Sequence, residues 1–252
     1  MTPNTPAFSL RLARDEADLH AAQRLRYDVF VRELGGDGTL VDHDAGLERD
    51  RFVPWFEHLL VIDEARAGAV VGVYRLMPPE KRAEADQYYS EDEYDLSPLR
   101  ATGRRLLELG RSCVHGDYRG GAAMFHLWQG LGAYVVEREI DVLFGVASFH
   151  GTNIEALKAP LSLLAARHLA PPDLRVRARS YQAMNLVPVD QIDRVAAMRS
   201  VPALIKAYLR LGGFVGDGAF IDHAFNTTDV CLVMDTARMS ESVTATYTAG
   251  AR

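Results

Sequence analysis

The chain has 252 residues, 48% of them hydrophobic, and a formal net charge of −6. This is enough for a domain with a substantial core, and the negative charge argues against nucleic acid as the main partner. No stretch has the roughly 18 apolar residues of a membrane span, no secretory signal is visible, and Cys113 and Cys231 cannot form a disulfide framework. These features predict a cytoplasmic protein.

The first part of the chain predicts three strands and one helix. Phe8 begins the apolar–polar alternation of a strand, and Asp15 has the position of an N-cap for a helix that ends at Gly35–Gly36. The polar segment over 36–56 is long for a loop in a compact domain, and long loops are often functional. Two strands joined by a turn at Ala67–Gly68 come next.

The rest of the chain predicts a mixed order of strands and helices. The expected elements are short helix and loop over 80–100, a strand over 106–114, a helix over 122–138, a strand over 142–149 that is buried on both sides, a helix over about 153–168, a strand over 174–180, a helix over 202–211, and strands near 219–223 and 229–234. Strands before and after the central helices predict an α/β fold with a mixed central sheet flanked by helices. The tail after Met239 is predicted to be loose.

Several segments resemble the ornithine N-acyltransferases of ornithine-lipid biosynthesis. The longest is LLELGRSCVHGDYRGG, from Leu106 to Gly121. The others begin at Leu25, His58, Gly72, Tyr89, Leu143, Leu204, Val215 and Phe225. Together they cover about residues 10 to 235, so the resemblance extends over nearly the whole chain.

That family is similar to the GNAT acyltransferases and to the acyl-homoserine-lactone synthases. The resemblance implies a single GNAT-like N-acyltransferase domain over 1–252 with a C-terminal extension. The likeness to the lactone synthases is carried by Arg26 with Phe30, by the acidic loop residues Glu48 and Asp50, by Arg75, and by Glu108 with Arg111. Gly110 stands where the lactone synthases have a serine.

The implied reaction moves a 3-hydroxyacyl group from acyl carrier protein to the α-amine of ornithine, which gives a lyso-ornithine lipid. An amine attacks a thioester only when it is neutral, so a base is useful near pH 7. Glu108 lies inside an apolar strand, where partial burial would make it a usable base, unless it only pairs with an arginine. His58 and Arg111 are the other catalytic candidates, although His58 is equally well explained as a structural histidine.

The donor is expected to bind around the end of this strand. Backbone N–H groups near Ser112 and Val114 are candidates to stabilise the developing oxyanion, with ordinary sheet pairing as the alternative. Arg119, Gly120 and Gly121 precede a helix, and a glycine-rich helix entry attracts phosphate. The glycine spacing departs from the usual GNAT pattern for coenzyme A, which favours the phosphopantetheine of the carrier protein. No separate cofactor is expected.

The acceptor needs groups of both signs. Arg26 or Arg75 is expected to hold its carboxylate, and Asp50, Glu48 or Asp44 its second amine, unless these arginines and acids only pair with one another. Phe30, and Ser148 in a matching segment, complete the predicted substrate-binding set. The histidines at 43, 58, 115 and 150 lack metal-ligand spacing, so no metal is predicted.

Two arginine clusters are candidates for carrier-protein docking or for contact with the inner-membrane surface, with a solvated charged face as the plain alternative. They are Arg100, Arg104 and Arg105, and the alternating Arg175, Arg177 and Arg179. Three other functions stay open: the same chemistry on glutamine or another amino acid, acyl-homoserine-lactone synthesis, and a non-catalytic carrier- or lipid-binding module.

Overall fold

In the computed structural model, residues 5–238 are described. They divide into two compact units that interleave along the chain: the first takes the residues up to Ala85 and Leu109–Glu139, and the second takes Asp86–Glu108 and the residues from Ile140 onward. The single domain over 1–252 stays a prediction, and the expected loose tail lies outside the described residues.

The described residues form ten strands and seven α-helices. The strands are β1 (Phe8–Leu12), β2 (Glu57–Asp63), β3 (Ala69–Met77), β4 (Tyr94–Asp95), β5 (Leu106–Val114), β6 (Val142–His150), β7 (Arg177–Ala178), β8 (Phe214–Val215), β9 (Phe220–Asp222) and β10 (Thr227–Asp235). The helices are α1 (Glu16–Arg26), α2 (Pro79–Ala85), α3 (Ser97–Ala101), α4 (Ala122–Glu137), α5 (Ile154–Arg167), α6 (Arg194–Ser200) and α7 (Ala203–Arg210).

In the first unit, β1, β2 and β3 pair antiparallel in that order. Helix α1 covers one face of these strands, where Leu25 packs with Leu60 and Val73. Helix α4 covers the other face. It approaches so closely that a Cβ on Gly130 would lie 2.5 Å from Leu10 Cδ2, so only glycine fits there without displacing a neighbour. The polar residues between α1 and β2 belong to this same unit.

Helix α1 begins as predicted, because the Asp15 side chain accepts a hydrogen bond from the Asp18 N–H at 2.9 Å. It continues without a break into a π-helix over Tyr27–Glu33, which the sequence did not predict. Single π-turns inserted in α-helices are frequent at functional sites. The change of helix type begins directly after Arg26, the first of the predicted substrate-binding residues.

In the second unit, the first three residues of β5 pair parallel with β6, in the register Glu108↔Phe144. Strand β10 pairs antiparallel with β6 along its whole length and also with the short strands β8 and β9. Strands β4 and β7 form a separate two-stranded sheet. Parallel and antiparallel pairings therefore coexist, and the mixed sheet with flanking helices is confirmed.

Two sequence predictions need correction in this unit. The segment 174–180 alternates buried and more exposed residues as predicted, but only Arg177–Ala178 is a strand. Its other backbone groups bond single residues such as Asp217, because no long partner strand runs beside it. Strand β6 is buried on both sides only in its first half, since Ser148 and His150 are exposed while Ala147 and Phe149 between them are buried.

Both cysteines are buried and free. Burial raises the pKa of Cys113 to about 12 and raises the pKa of Cys231 further, so neither thiol ionises readily. None of the helices in the described part of the chain is long and apolar enough to cross a membrane.

Candidate active site

The backbone of β5 departs from regular strand geometry at Arg111. Its φ is +50°, a left-handed value that costs a non-glycine residue about 1–3 kcal/mol and tends to occur at functional sites. A Cβ on Gly110 would lie 3.8 Å from Arg75 Nη2, and Arg111 Nη2 lies 3.9 Å from Asp50 Oδ2. Because Arg75 and Asp50 are hydrogen-bonded to each other, two successive residues of β5 face the same ion pair.

Glu48 lies between two arginines inside the first unit. Arg26 Nε donates to Glu48 Oε2 at 2.6 Å, Arg26 Nη2 donates to the Glu48 carbonyl oxygen at 2.6 Å, and Arg111 Nε donates to Glu48 Oε1 at 3.0 Å. Arg26 and Glu48 are completely buried. Both carboxylate oxygens of Glu48 therefore serve the protein's own arginines, and neither Glu48 nor Arg26 presents surface to a ligand.

Asp50 and Arg75 form a second ion pair. We call Arg26, Glu48, Asp50, Arg75 and Arg111 the arginine–carboxylate cluster. Arg75 Nη1 donates to Asp50 Oδ2 at 2.6 Å, and the guanidinium lies 4.1 Å from the Phe56 ring centroid. Arg75 is fully buried, whereas the side chain of Asp50 is 16% exposed and that of Arg111 is 12% exposed. Phe30 lies under Arg111, with 5.9 Å between the ring centroid and Cζ. Asp50 and Arg111 are therefore the solvent-facing edge of the cluster.

The cluster carries three arginines and two carboxylates. Burial alone would raise the pKa of Glu48, but the charges of Arg111, Arg26 and Arg75 outweigh it and hold that pKa at about 2. The pKa of Asp50 is lowered in the same way: burial opposes ionisation, and Arg75 and Arg111 overcome it. Both acids are ionised near neutral pH, which leaves one positive charge in excess.

His58, a predicted catalytic residue, adds no charge to this cluster. Its Nε2 lies 3.0 Å from Arg26 Nη1, and because an arginine can only donate, Nε2 is the acceptor. Burial, followed by the charges of Arg26 and Arg75, lowers the pKa of His58 to about 3. The imidazole is therefore neutral, and the lone pair that would take a proton already accepts one from Arg26.

Glu108, the predicted general base, lies in the second unit and is 1% exposed. Its Oε2 accepts the backbone N–H of Tyr89 at 2.8 Å, and its Oε1 accepts that of Ser90 at 2.6 Å. The carboxylate thus holds the turn over 89–92 against β5 in addition to any chemistry. The alternative reading, a pair with Arg111 or another arginine, stays a prediction; the Nε of Arg111 donates to Glu48.

A group of three carboxylates in the second unit was missed. Glu93, Asp222 and Asp229 bring carboxylate oxygens within 4.8 Å of one another. Asp229 lies opposite Ser148 in the β6–β10 register, so the predicted substrate-binding serine shares a face with this group. The sequence predicted the strands β9 and β10 but not their pairing, and the register of that pairing brings the two aspartates together.

The predicted phosphate site is a turn at the start of α4. Gly120 has a φ of +75° and open space around it, and no side chain caps the helix at Gly121. Arg119 Nε donates to the Val114 carbonyl at 3.1 Å, and its Nη2 donates to Glu33 Oε2 at 2.5 Å. The Oγ of Ser112 is buried and accepts or donates no hydrogen bond among the described residues.

A cavity of about 450 Å³ adjoins this turn. Its lining residues are Thr5, Pro6, Phe8, Asp117, Tyr118, Arg119, Gly121, Ala122 and His126. The exposed N–H groups of a helix start, an arginine and a cavity suit a phosphorylated ligand with an apolar part.

Three of the six arginines in the predicted clusters form ion pairs with acids. Arg104 donates to both carboxylate oxygens of Asp235, and Arg100 Nη1 lies 2.7 Å from Glu91 Oε1. Arg177 forms an ion pair with Asp217. These acids are remote in sequence and close in space, so Arg100, Arg104 and Arg177 are paired, whereas docking by the two clusters stays a prediction.

Comparison with known proteins identifies the fold and the family of this chain. Residues 25–129 match the model of the acetyltransferase (GNAT) domain. In solved structures, the chain is similar to the coenzyme A-dependent acyl-homoserine lactone synthase BjaI (TM-score 0.55, 14% identity, 97% of this chain and 90% of that one). It is also similar to FeeM, an N-acyl amino acid synthase from uncultured soil microbes (TM-score 0.50, 12% identity, 92% of each chain). At these identities the likeness concerns the fold.

Sequence relatives are much closer. The L-ornithine N(alpha)-acyltransferase of Rhodobacter capsulatus is 57% identical over 96% of this chain and 95% of its own length. The protein of that name from Brucella abortus is 43% identical over 97% and 90%. The matches span the π-helix, the arginine–carboxylate cluster and β5 together. The chain is therefore an acyltransferase of the GNAT fold and belongs to the L-ornithine N(alpha)-acyltransferase family.

Proposed function

We propose that this enzyme transfers a 3-hydroxy fatty acyl group from acyl carrier protein to the α-amine of ornithine and so makes a lyso-ornithine lipid in the cytoplasm. The observation that carries the proposal is the 57% identity to a curated L-ornithine N(alpha)-acyltransferase over nearly the full length of both chains. In the reaction, the amine nitrogen bonds the thioester carbon, the carbon–sulfur bond breaks, and the amine proton leaves through a base to the departing thiolate.

The donor's phosphopantetheine is assigned to the turn before α4. The uncapped helix start at Gly121 and the guanidinium of Arg119 offer positive charge to its phosphate, and the adjoining cavity has apolar walls at Pro6 and Phe8. Glu33, the partner of Arg119, is an exposed residue that a phosphate can replace.

The acceptor is assigned to the exposed edge of the arginine–carboxylate cluster. Arg111 takes the carboxylate of ornithine, and Asp50 takes its side-chain ammonium, because these two groups are the members of the cluster with surface exposure. Arg26, Glu48 and Arg75 act behind them by holding their positions. The excess positive charge of the cluster favours the neutral form of a nearby amine, the form that attacks the thioester.

Glu108 is proposed as the general base, with Glu108→Gln as its test. A free α-amine has a pKa of about 8, so the variant should lose at least about tenfold in rate near pH 7 and recover above that pKa, where the amine needs no base. A rate that is equally low at every pH would assign Glu108 only to holding the turn over 89–92.

One assay tests the reaction as a whole. The purified enzyme is given 3-hydroxyacyl carrier protein with ornithine, glutamine or S-adenosylmethionine in separate tubes, and the products are identified by mass. We expect acyl-ornithine as the dominant product. Acyl-glutamine would move the enzyme to another acceptor, and an acyl-homoserine lactone would overturn the assignment.

Acceptor selectivity tests the residue assignment. Asp50→Asn should raise KM for ornithine strongly and KM for norvaline, which lacks the side-chain amine, only slightly. Asp229→Asn, in the carboxylate group of the second unit, is the comparison variant. A selective loss for ornithine in Asp229→Asn, with none in Asp50→Asn, would remove Asp50 from the acceptor site.

A further inference from the structure

Positive charge is concentrated in one part of this acidic chain. Residues 153–210 contain nine lysines and arginines but four aspartates and glutamates, a net charge of +5, whereas the whole chain carries −6. All of this segment belongs to the second unit. A negatively charged protein therefore displays one region that attracts anions.

Helix α6 is a largely exposed part of that region. Its inner side packs against α5 in a small core that joins Ala197 with Leu163 and Ile192. Residues four apart share a face of a helix, so Val195 and Arg199 lie together on the side opposite Ala197. The side of α6 that faces away from the protein thus carries an aliphatic group beside a guanidinium.

The cations around α6 are not neutralised. Arg194, Arg199 and Lys206 form no ion pair with a carboxylate of residues 5–238, in contrast to the pairs formed by Arg104 and Arg177. Lys206 Nζ donates to the Arg199 carbonyl at 3.3 Å, which brings its ammonium next to α6. The nearest acid in sequence, Asp193, is occupied as the N-cap of α6.

Exposed aliphatic groups accompany these charges. Val195 is 70% exposed, the highest exposure among the large hydrophobic residues in the described part of the chain, and Val189 is 47% exposed. Asp193 Oδ1 accepts the N–H groups of Val195 and Ala196, so the helix that presents Val195 is fixed in place. We call Val189, Arg194, Val195, Arg199 and Lys206 the basic–aliphatic patch. Asp190 and Asp193 are exposed acids close to it in sequence.

We propose that the basic–aliphatic patch docks the enzyme on the surface of an anionic lipid bilayer. The cations match the negative headgroups, and the valines enter the boundary between headgroups and acyl chains. An acidic carrier protein would also attract the cations, but valines exposed on a convex helix favour an interface that adapts around them. The proposal rests on the proposed function only because a lipid product needs a membrane to receive it.

The test is vesicle binding without turnover, so its result does not depend on the acceptor or on catalysis. The full chain is sedimented with vesicles of phosphatidylcholine and phosphatidylglycerol, and with vesicles of phosphatidylcholine alone. We expect binding to the anionic vesicles that weakens with salt. The double variant Arg194→Glu/Arg199→Glu should lose at least about tenfold in partition coefficient, and Val195→Asp should lose several-fold.

Matched control variants show whether a loss of vesicle binding comes from the patch itself, from the change of net charge, or from the loss of any exposed apolar side chain. Arg32→Glu/Arg66→Glu makes the same change of net charge at exposed arginines of the first unit, and Val136→Asp alters another exposed valine. Both should bind vesicles as the parent does. Equal losses in the control and patch variants, or no vesicle binding at all, would overturn the proposal. So would a patch reversal that raises KM for the carrier thioester and leaves vesicle binding intact.

Discussion

At the scale of single residues, Glu48 is the point on which the arginine–carboxylate cluster depends. It serves Arg26 and Arg111 at once from a fully buried position. Burying charges is costly, and removal of one member of a buried pair leaves the other uncompensated. The stability of this region is therefore tied to one carboxylate.

We expect Glu48→Gln to lower the free energy of unfolding by about 3–5 kcal/mol, because the buried guanidinium of Arg26 and the partly exposed one of Arg111 lose their counter-charge. Denaturant titration measures this loss. Glu33→Gln is the matched control: its partner Arg119 lies at 2.5 Å, but both side chains are exposed, so the change should stay within about 1 kcal/mol. Similar losses of unfolding free energy in the two variants would mean that burial does not determine how much an ion pair contributes to stability.

His58 should make stability depend on pH. Its pKa falls from the ordinary 6.5 to about 3 on folding, so below pH 6.5 the unfolded chain takes up a proton that the folded chain refuses. Stability is then lost as the pH decreases through this window, at up to about 1.4 kcal/mol per pH unit. The contribution of Glu48 changes mainly below its ordinary pKa of 4.5, so between pH 6.5 and 4.5 the slope comes chiefly from His58, with a smaller part from His168.

The measurement is unfolding free energy at several pH values between 6.5 and 4.5. His58→Gln keeps an acceptor for Arg26 and should flatten the slope. His168→Gln is the control, because burial also lowers the pKa of His168 but leaves it partly exposed, and its effect on the slope should be smaller. An unchanged slope in His58→Gln would show that this histidine is protonated in the folded protein.

The sequence identified most members of the cluster but not their use. Arg26, Glu48, Asp50, Arg75 and Arg111 come from four separate segments, and the structure brings all five together. Their pattern could not reveal that the buried members bond each other, because exposure depends on the packing of α1 and on the left-handed backbone of β5 at Arg111. For the same reason Asp235 and Glu91 were not foreseen as partners of Arg104 and Arg100.

At the scale of elements, the junction between α7 and β8 is limited by space. A Cβ on Gly213 would lie 2.8 Å from the backbone carbonyl oxygen of Tyr208, which also accepts the Gly213 N–H at 2.9 Å. Backbone cannot move aside as a side chain can. The turn that leads into β8, next to β10, therefore requires glycine.

We expect Gly213→Ala to destabilise the protein by about 1–3 kcal/mol, the usual cost of forcing extra volume into a packed site. Gly110→Ala is the control, because its Cβ would meet Arg75 at an ordinary 3.8 Å, and its stability should change little. Thermal unfolding compares the two. A neutral Gly213→Ala would mean that the α7–β8 turn adapts at low cost.

Elements with strong local signals were predicted well. The strands β2, β3 and β5, the long helix α4, and the capped helix α1 taken together with its π-helical continuation all lie close to their predicted bounds. Helix α6 was missed because it has seven residues and no long apolar period, although Asp193 offers an N-cap. The segment 174–180 has the period of a strand, but pairing requires a partner, and partners are set by tertiary structure.

At the scale of the whole molecule, charge is divided unevenly. A net charge of −6 predicts repulsion from anionic matrices, whereas residues 153–210 alone carry +5. When a charged region is larger than the screening length, about 10 Å at 0.1 M salt, its local charge decides adsorption, and the net charge of the whole chain does not.

We therefore expect the protein to be retained on a cation-exchange resin at pH 7 and low salt, despite its acidic composition. The measurement is the salt concentration at which the protein elutes. Arg194→Glu/Arg199→Glu should pass through unretained, whereas Arg32→Glu/Arg66→Glu, with the same net charge, should still bind. Passage of the parent protein without retention would show that the surrounding acids mask the region.

The burial of both cysteines has a practical consequence. Because Cys113 and Cys231 are shielded and resist ionisation, maleimide reagents should leave the native enzyme unlabelled. A thiol introduced on the surface would then be the single reactive position, without any need to remove the natural ones. An environment-sensitive dye attached through Val195→Cys would report polarity at that one point while the enzyme works.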